Sequence, residues 1–272
     1  MLPNFLVIGA QKAASSWLAA WLGANPDIFM WRAEIHFFNA RYERGISWYE
    51  HHFRHWSGQP LVGEKSPLYL SDPSSPRRIR SVLGDNVKML ASLRHPVDRA
   101  YSAYWHGIKH NRIPPQTEFP AALRLVPSLR LNSEYSRQVE RYQATFRGDQ
   151  LLFQILEETN QDRVAALRQC LEFLGVDPAW ASAAAERRVN ESKEVRRFSG
   201  PAYRISRRLN RLPAPVRGTL KTAGRAVFRA FPVERQYRIL SAEVRADLME
   251  GFRPDVARLE QLLRRDLSIW RR

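Results

Sequence analysis

Residues 5–22 read FLVIGAQKAASSWLAAWL. An unbroken apolar run, Phe5-Leu6-Val7-Ile8, meets Gly9 and a loop of small residues with one lysine, then a serine pair and an apolar repeat. A short continuous apolar run of this kind suits a strand buried on both faces, as in a parallel sheet. Trp17, Leu18, Trp21 and Leu22 form one stripe of a helix that a serine can cap. In that layout the first backbone N–H groups of the helix face the loop, where an anion is favoured. The loop is not the ATPase and GTPase pattern G-x-x-x-x-G-K-[ST]. Gly9-Ala10-Gln11-Lys12-Ala13-Ala14-Ser15-Ser16 lacks the second glycine, and its lysine comes three residues after the first. Lys12 adds a compact positive charge, and Ser15 and Ser16 add hydroxyl donors. A strand–helix turn with an incidental lysine is the plain alternative.

Working outward, residues 61–63 suit a second strand that leads into EKSPLYL, and residues 74–83 suit a helix. A strand at 87–93 runs into RHPVDRAYSAYW, where Pro96 takes the favoured first position of a helix. Helical spacing covers 132–146 and 159–174, with a strand candidate at 151–156 between them, and returns at 242–267. Strands alternating with helices predict an α/β fold, a P-loop-NTPase-like three-layer arrangement with a mostly parallel central sheet. Ligands in such sheets bind at the carboxyl ends of the strands. The Lys12 loop and Arg94 therefore open onto one edge, and the guanidinium fork of Arg94 suits a second phosphate. Two separated phosphate sites point to a nucleotide phosphorylated at both ends. A single domain over 1–272 is expected, with a basic insertion at about 196–238 and a C-terminal helix at about 242–267.

Composition narrows the partners without choosing one. The 272-residue chain is 44% hydrophobic, enough for a substantial core, and its formal charge of +16 favours polyanions. Only six of its 43 basic residues are lysines, and two of these, Lys12 and Lys65, fall just after predicted strands. The one cysteine, Cys170, sits in an apolar helical pattern, so it reads as a small core residue in a reducing compartment. With no apolar stretch near 20 residues and no signal peptide before the first strand, a cytoplasmic protein is expected. The run at 204–231, RISRRLNRLPAPVRGTLKTAGRAVFRAF, is by default a solvated basic surface. Its interspersed Val227, Phe228 and Phe231 also fit peripheral contact with an anionic membrane or an acidic acceptor. Nucleic-acid binding has no helix–turn–helix, RRM or zinc-finger pattern to support it. His51 and His55 are four residues apart but lack a third ligand, so no metal is expected. The aromatic cluster Trp31, Tyr42, Trp48, Tyr49 and Trp105 reads mainly as core.

Four stretches carry a family resemblance. IGAQKAASS resembles the 5′-phosphosulfate loop of sulfotransferases of the heparan-sulfate type, and LRHPVDRAYSAYW their 3′-phosphate motif. AEIHFFNARYERGISWYEHHF resembles the segment with their catalytic carboxylate, and EKSPLYL a further active-site loop; the likeness runs thinly on to FRPDVARLEQLLRRDLSIW. The resemblance implies that 3′-phosphoadenosine-5′-phosphosulfate (PAPS) is the donor and 3′,5′-bisphosphoadenosine (PAP) the product, without a metal. It implies that Lys12, the backbone of Ala13 and Ala14, and the hydroxyls of Ser15 and Ser16 hold the 5′-phosphosulfate. Arg94 and Ser102 then hold the 3′-phosphate, Glu34 is the general base with His36 beside it, and Lys65 is a second active-site lysine. The adenine-side loop falls on VNESKEVRRF, with Lys193, Arg196 and Arg197. The implied acceptor is a hydroxyl or amine of a glycan, glycolipid or small molecule.

Some positions depart from the family. Ala14 replaces a common glycine, which a methyl group tolerates only at negative φ. Asn39 stands where some relatives carry aspartate, and a C-terminal cysteine pair is missing. A P-loop nucleotide kinase is disfavoured by the missing glycine–lysine–serine and the lack of a magnesium aspartate. A non-catalytic polyanion-binding module on the same fold is disfavoured by the joint presence of Glu34, Lys12 and Lys65.

Overall fold

The computed structural model describes residues 1–184 and 240–271. Five parallel strands form the sheet in the order β2-β3-β1-β4-β5: β1 Phe5–Gly9, β2 Ile28–Met30, β3 Leu61–Lys65, β4 Lys88–Leu93 and β5 Leu151–Ile155. The central β1 is buried at every residue, as its apolar run requires. Its register sets Phe5 opposite Gly63 of β3, and a Cβ on Gly63 would lie 2.1 Å from the Phe5 ring. Only glycine lets the two strands close over that ring.

Helix α1, Ser15–Leu22, and helix α10, Arg163–Leu174, pack Leu18, Trp21, Leu22, Leu167, Leu171 and Leu174 with Phe5, Val7 and Leu90 of the sheet. Cys170 belongs to this cluster, and burial pushes its thiol up to about 12, far from a reactive thiolate. Helices thus flank a parallel sheet, as the strand–helix alternation predicts. Chain contacts define two compact units. The first takes residues 1–99, 131–191 and 248–272 and holds the whole sheet. The second takes residues 100–130 and 192–247. Within it, Tyr101 and Tyr104 of helix α5, Pro96–Lys109, pack their rings on Phe119. Phe119 opens helix α6, Phe119–Leu125.

Several elements differ from their predicted bounds. Strand β3 runs two residues past 63 to Lys65, and the edge strand β2 was not anticipated in a three-residue stretch. The helix expected over 132–146 is the shorter α8, Ser136–Gln143, and a separate one, α7 Ser128–Leu131, ends just before that range. The one expected over 159–174 restarts at Asp162, whose side chain accepts from the Ala165 N–H at 2.8 Å and caps α10. The preceding turn is α9, Leu156–Gln161. The C-terminal helix expected over 242–267 is α12, Ala242–Glu250, and α13, Arg253–Leu263, then a single turn Ser268–Trp270. Gly251 and Pro254 break it, since proline is accepted only in a first helical turn. The other helices are α2 Phe37–Ala40, α3 Ile46–Glu50, α4 Ser75–Leu83 and α11 Trp180–Ala184. Among the described residues no helix is long and apolar enough to cross a membrane.

Candidate active site

The loop between β1 and α1 sits at the carboxyl end of the central strand. Ala14, not a serine, occupies the cap position of α1, with its carbonyl accepting from the Trp17 and Leu18 N–H groups at 2.9 and 3.1 Å. An alanine has no side chain to cap with, so the first-turn N–H groups remain directed at the loop. The expectation of a negative φ at Ala14 is corrected: its φ is 60°, and that of Lys12 is 74°. Both residues accept left-handed backbone, at a cost of about 1–2 kcal/mol each. The loop turns sharply at both places, which is the shape a wrapped anion needs.

Glu34, Lys65 and His36 come together beside this loop. Lys65, at the end of β3 and 7% exposed, places Nζ 2.6 Å from Glu34 Oε1 and donates to Ser16 Oγ at 3.2 Å. His36 Nε2 lies 3.0 Å from Glu34 Oε2. These contacts hold the Glu34 carboxyl down at about 2: the His36 hydrogen bond is the largest influence, partial burial opposes it, and Lys65 adds its bond and charge. Glu34 and His36 come from one stretch and Lys65 from another 31 residues on from Glu34, and the fold brings the three together.

On the other side of the loop, Arg94 follows β4 and its Nη1 donates to the Lys12 carbonyl at 3.2 Å. Its neighbour along the chain, Arg99, is fully buried and donates through Nε to Ser133 Oγ at 2.6 Å. Burial lowers the Arg99 guanidinium to about 10, with Tyr135 opposing and Arg94 adding repulsion. Ser102 lies half-buried on α5, in the second unit. Lys193, Arg196, Arg197 and the basic runs at 196–238 and 204–231 lie outside the described residues. Among the described residues no group of three or more His, Cys, Asp or Glu side chains comes together as a metal site would require.

A buried carboxylate under the site was not singled out from sequence. Glu64 is fully buried; its Oε1 accepts from Tyr69 at 2.7 Å and Tyr49 at 3.2 Å, and its Oε2 accepts from Ser66 Oγ at 2.7 Å. Ser66 Oγ accepts from the His36 N–H at 2.9 Å, and the Tyr69 hydroxyl accepts from the Phe37 N–H at 2.8 Å. Burial raises the Glu64 carboxyl while the three hydroxyls pull it back. The network fixes the backbone around His36, whose φ is 55°. A charged residue inside the strand of EKSPLYL was the available signal. Tyr49, assigned to core, is part of this network, with its phenol raised by burial.

A parallel sheet with a strand–loop–helix turn at the end of its central strand, and a lysine-held carboxylate beside it, is the arrangement the chain's relatives can be set against. The family model described as a sulfotransferase domain matches residues 2–199, and the chain belongs to that family. It is 38% identical over 121 residues to the membrane-associated sulfotransferase kil1 of Dictyostelium discoideum, covering 42% of this chain and 26% of that protein. It is 31% identical over 205 residues to the bifunctional heparan sulfate N-deacetylase/N-sulfotransferase 4 of Mus musculus, covering 65% of this chain and 23% of that one. Against the mouse heparan sulfate glucosamine 3-O-sulfotransferase 3B1 the identity is 28%, covering 64% and 46%. The chain thus spans between about a quarter and a half of the length of these relatives. A crystal structure of a sulfotransferase from Alicyclobacillus acidocaldarius superposes with a TM-score of 0.73 at 26% identity, covering 100% of both chains.

Proposed function

We propose that this chain moves a sulfuryl group from PAPS to a hydroxyl or amine of a glycan, glycolipid or small acceptor. The observation that carries the reading is Lys65: one ammonium touches both Ser16 of the anion loop and Glu34. That links a place for the donor to a base for the acceptor.

The donor set fits the nucleotide. Lys12, the first-turn N–H groups of α1 and the serine hydroxyls suit a 5′-phosphosulfate; Arg94 with Ser102 suits a 3′-phosphate. When bound, the nucleotide supplies an activated sulfuryl group and a phosphate leaving group. Glu34 accepts the proton of the acceptor as its oxygen or nitrogen attacks. While Lys65 and His36 both hold Glu34, its carboxyl at about 2 is a weak base. An anion on the loop competes with Glu34 for Lys65, so Glu34 gains basicity as the ammonium turns to developing negative charge. His36 keeps the carboxylate oriented. No metal is required where lysines supply the positive charge.

The glycan-modifying relatives favour an acidic sugar acceptor. The Dictyostelium relative and the basic run at 204–231 favour peripheral contact with an anionic membrane, and the lone cysteine favours the cytoplasm. Thermal shift with PAP, AMP and ATP, followed by transfer of labelled sulfate from PAPS to a panel of glycans, glycolipids and phenols, tests the reading. Stronger stabilisation by PAP than by ATP and label on an acceptor are expected; equal stabilisation by ATP would overturn it.

A further inference from the structure

Arg94 stands where β4 ends and the chain turns toward α5, so its backbone needs partners the sheet no longer supplies. The Tyr135 hydroxyl donates to the Arg94 carbonyl at 3.0 Å and lies 3.4 Å from the Arg94 N–H. The next N–H, of His95, donates to Glu157 Oε1 at 2.9 Å. Both anchors are tied in turn to the C-terminal segment. Asp255 of α13 accepts from the Tyr135 N–H at 2.7 Å and the Ser136 N–H at 3.1 Å, and also bonds the Ser136 hydroxyl. The indole N–H of Trp270 donates to the other Glu157 oxygen at 2.8 Å, and its ring lies 6.0 Å from that of Tyr135. Tyr135 and Trp270 are fully buried. Asp255 and Trp270 lie beyond residue 199, where the match to the family ends.

We propose that the C-terminal segment, residues 252–271, is a brace for the 3′-phosphate site. Asp255 and Trp270 are positioning residues that act on Arg94 through Tyr135 and Glu157. The inference rests on the reading of Arg94 as the 3′-phosphate residue. A guanidinium fork binds a phosphate in one orientation, so a small turn of its backbone costs affinity for that phosphate and little else.

Calorimetric binding of PAP and AMP to the full chain isolates the effect, because the two nucleotides differ only by the 3′-phosphate. Tyr135→Phe and Trp270→Phe are each expected to weaken PAP about five- to tenfold, the scale of one lost buried hydrogen bond, and to leave AMP within about twofold. Arg258→Ala on α13, which removes the exposed 2.8 Å pair with Glu140 of α8, is expected to change neither. Equal losses for PAP and AMP would make both residues ordinary supports of the fold, and an unchanged PAP affinity would remove the brace. A wild-type chain with no preference for PAP over AMP would instead overturn the Arg94 reading itself.

Discussion

The two sides of the anion loop are held by different forces. Around Glu34 the contacts are side chain to side chain near solvent: an ammonium at 2.6 Å and an imidazole nitrogen at 3.0 Å on a carboxylate that is 38% exposed. Around Arg94 the contacts are main-chain hydrogen bonds to the buried Tyr135 hydroxyl and the Glu157 carboxylate, held in turn by Asp255 and Trp270 over 100 residues further along the chain. Ion pairs near solvent exchange partners at little net cost, whereas buried main-chain bonds are costly to leave unmade. The first side is thus built to rearrange during a reaction and the second to stay still while a ligand is gripped.

The largest expected effect falls on the Glu34 side. Glu34→Gln removes the proton acceptor and is expected to lower transfer by roughly 10²–10⁴-fold, the usual worth of a positioned base, with PAP affinity equal or higher because Lys65 loses a competitor. A parallel loss of PAP affinity in calorimetry would erase the division between the two sides. Next comes Arg94→Lys, which keeps charge but loses the fork. It is expected to weaken PAP by roughly tenfold to a hundredfold and to spare AMP, as read by the same titration.

Lys65→Met sharpens the comparison through proton binding. Glu34 is held at about 2 against an ordinary 4.5, so its pairing stabilises the fold fully above 4.5 and is lost as pH falls from there through 2. Without Lys65 the carboxyl is expected to rise part-way toward 4.5, with His36 still holding it. Carboxyl carbon resonances followed through an acid titration report that rise. Acid unfolding between those two values should then depend less on pH. A Glu34 carboxyl that stayed near 2 would assign the whole shift to His36.

The contrast also explains what the sequence disclosed. Phe5-Leu6-Val7-Ile8 announced the central strand because every residue of it is buried, and Lys12, Glu34, Lys65 and Arg94 stood out as candidates because chemistry and family likeness mark them together. The late start of the helix expected over 132–146 was illegible, because the partner of its first N–H groups is Asp255. Asp162, by contrast, caps a helix three residues away and was a local signal that went unread. Glu64 was visible as a charge within a strand, but one of its three hydroxyl partners, Tyr49, comes from α3, which only the fold brings beside Ser66 and Tyr69.

Ala14 offers the smallest effect and tests the loop that both sides share. Its φ of 60° is a conformation in which a methyl group costs about 1–2 kcal/mol and glycine nothing. Glycine loses more backbone freedom on folding, roughly 0.5–1 kcal/mol relative to alanine, which offsets part of the relief. The net gain for Ala14→Gly is therefore about 0.5 kcal/mol, or roughly 1–2 °C in Tm for a chain of this size. Thermal unfolding with and without PAP separates two origins of the alanine. If the loop holds this shape by itself, the gain is the same in both conditions. A gain confined to the PAP-bound protein would mean that the left-handed turn is held only while the ligand is wrapped, tying the strain to binding.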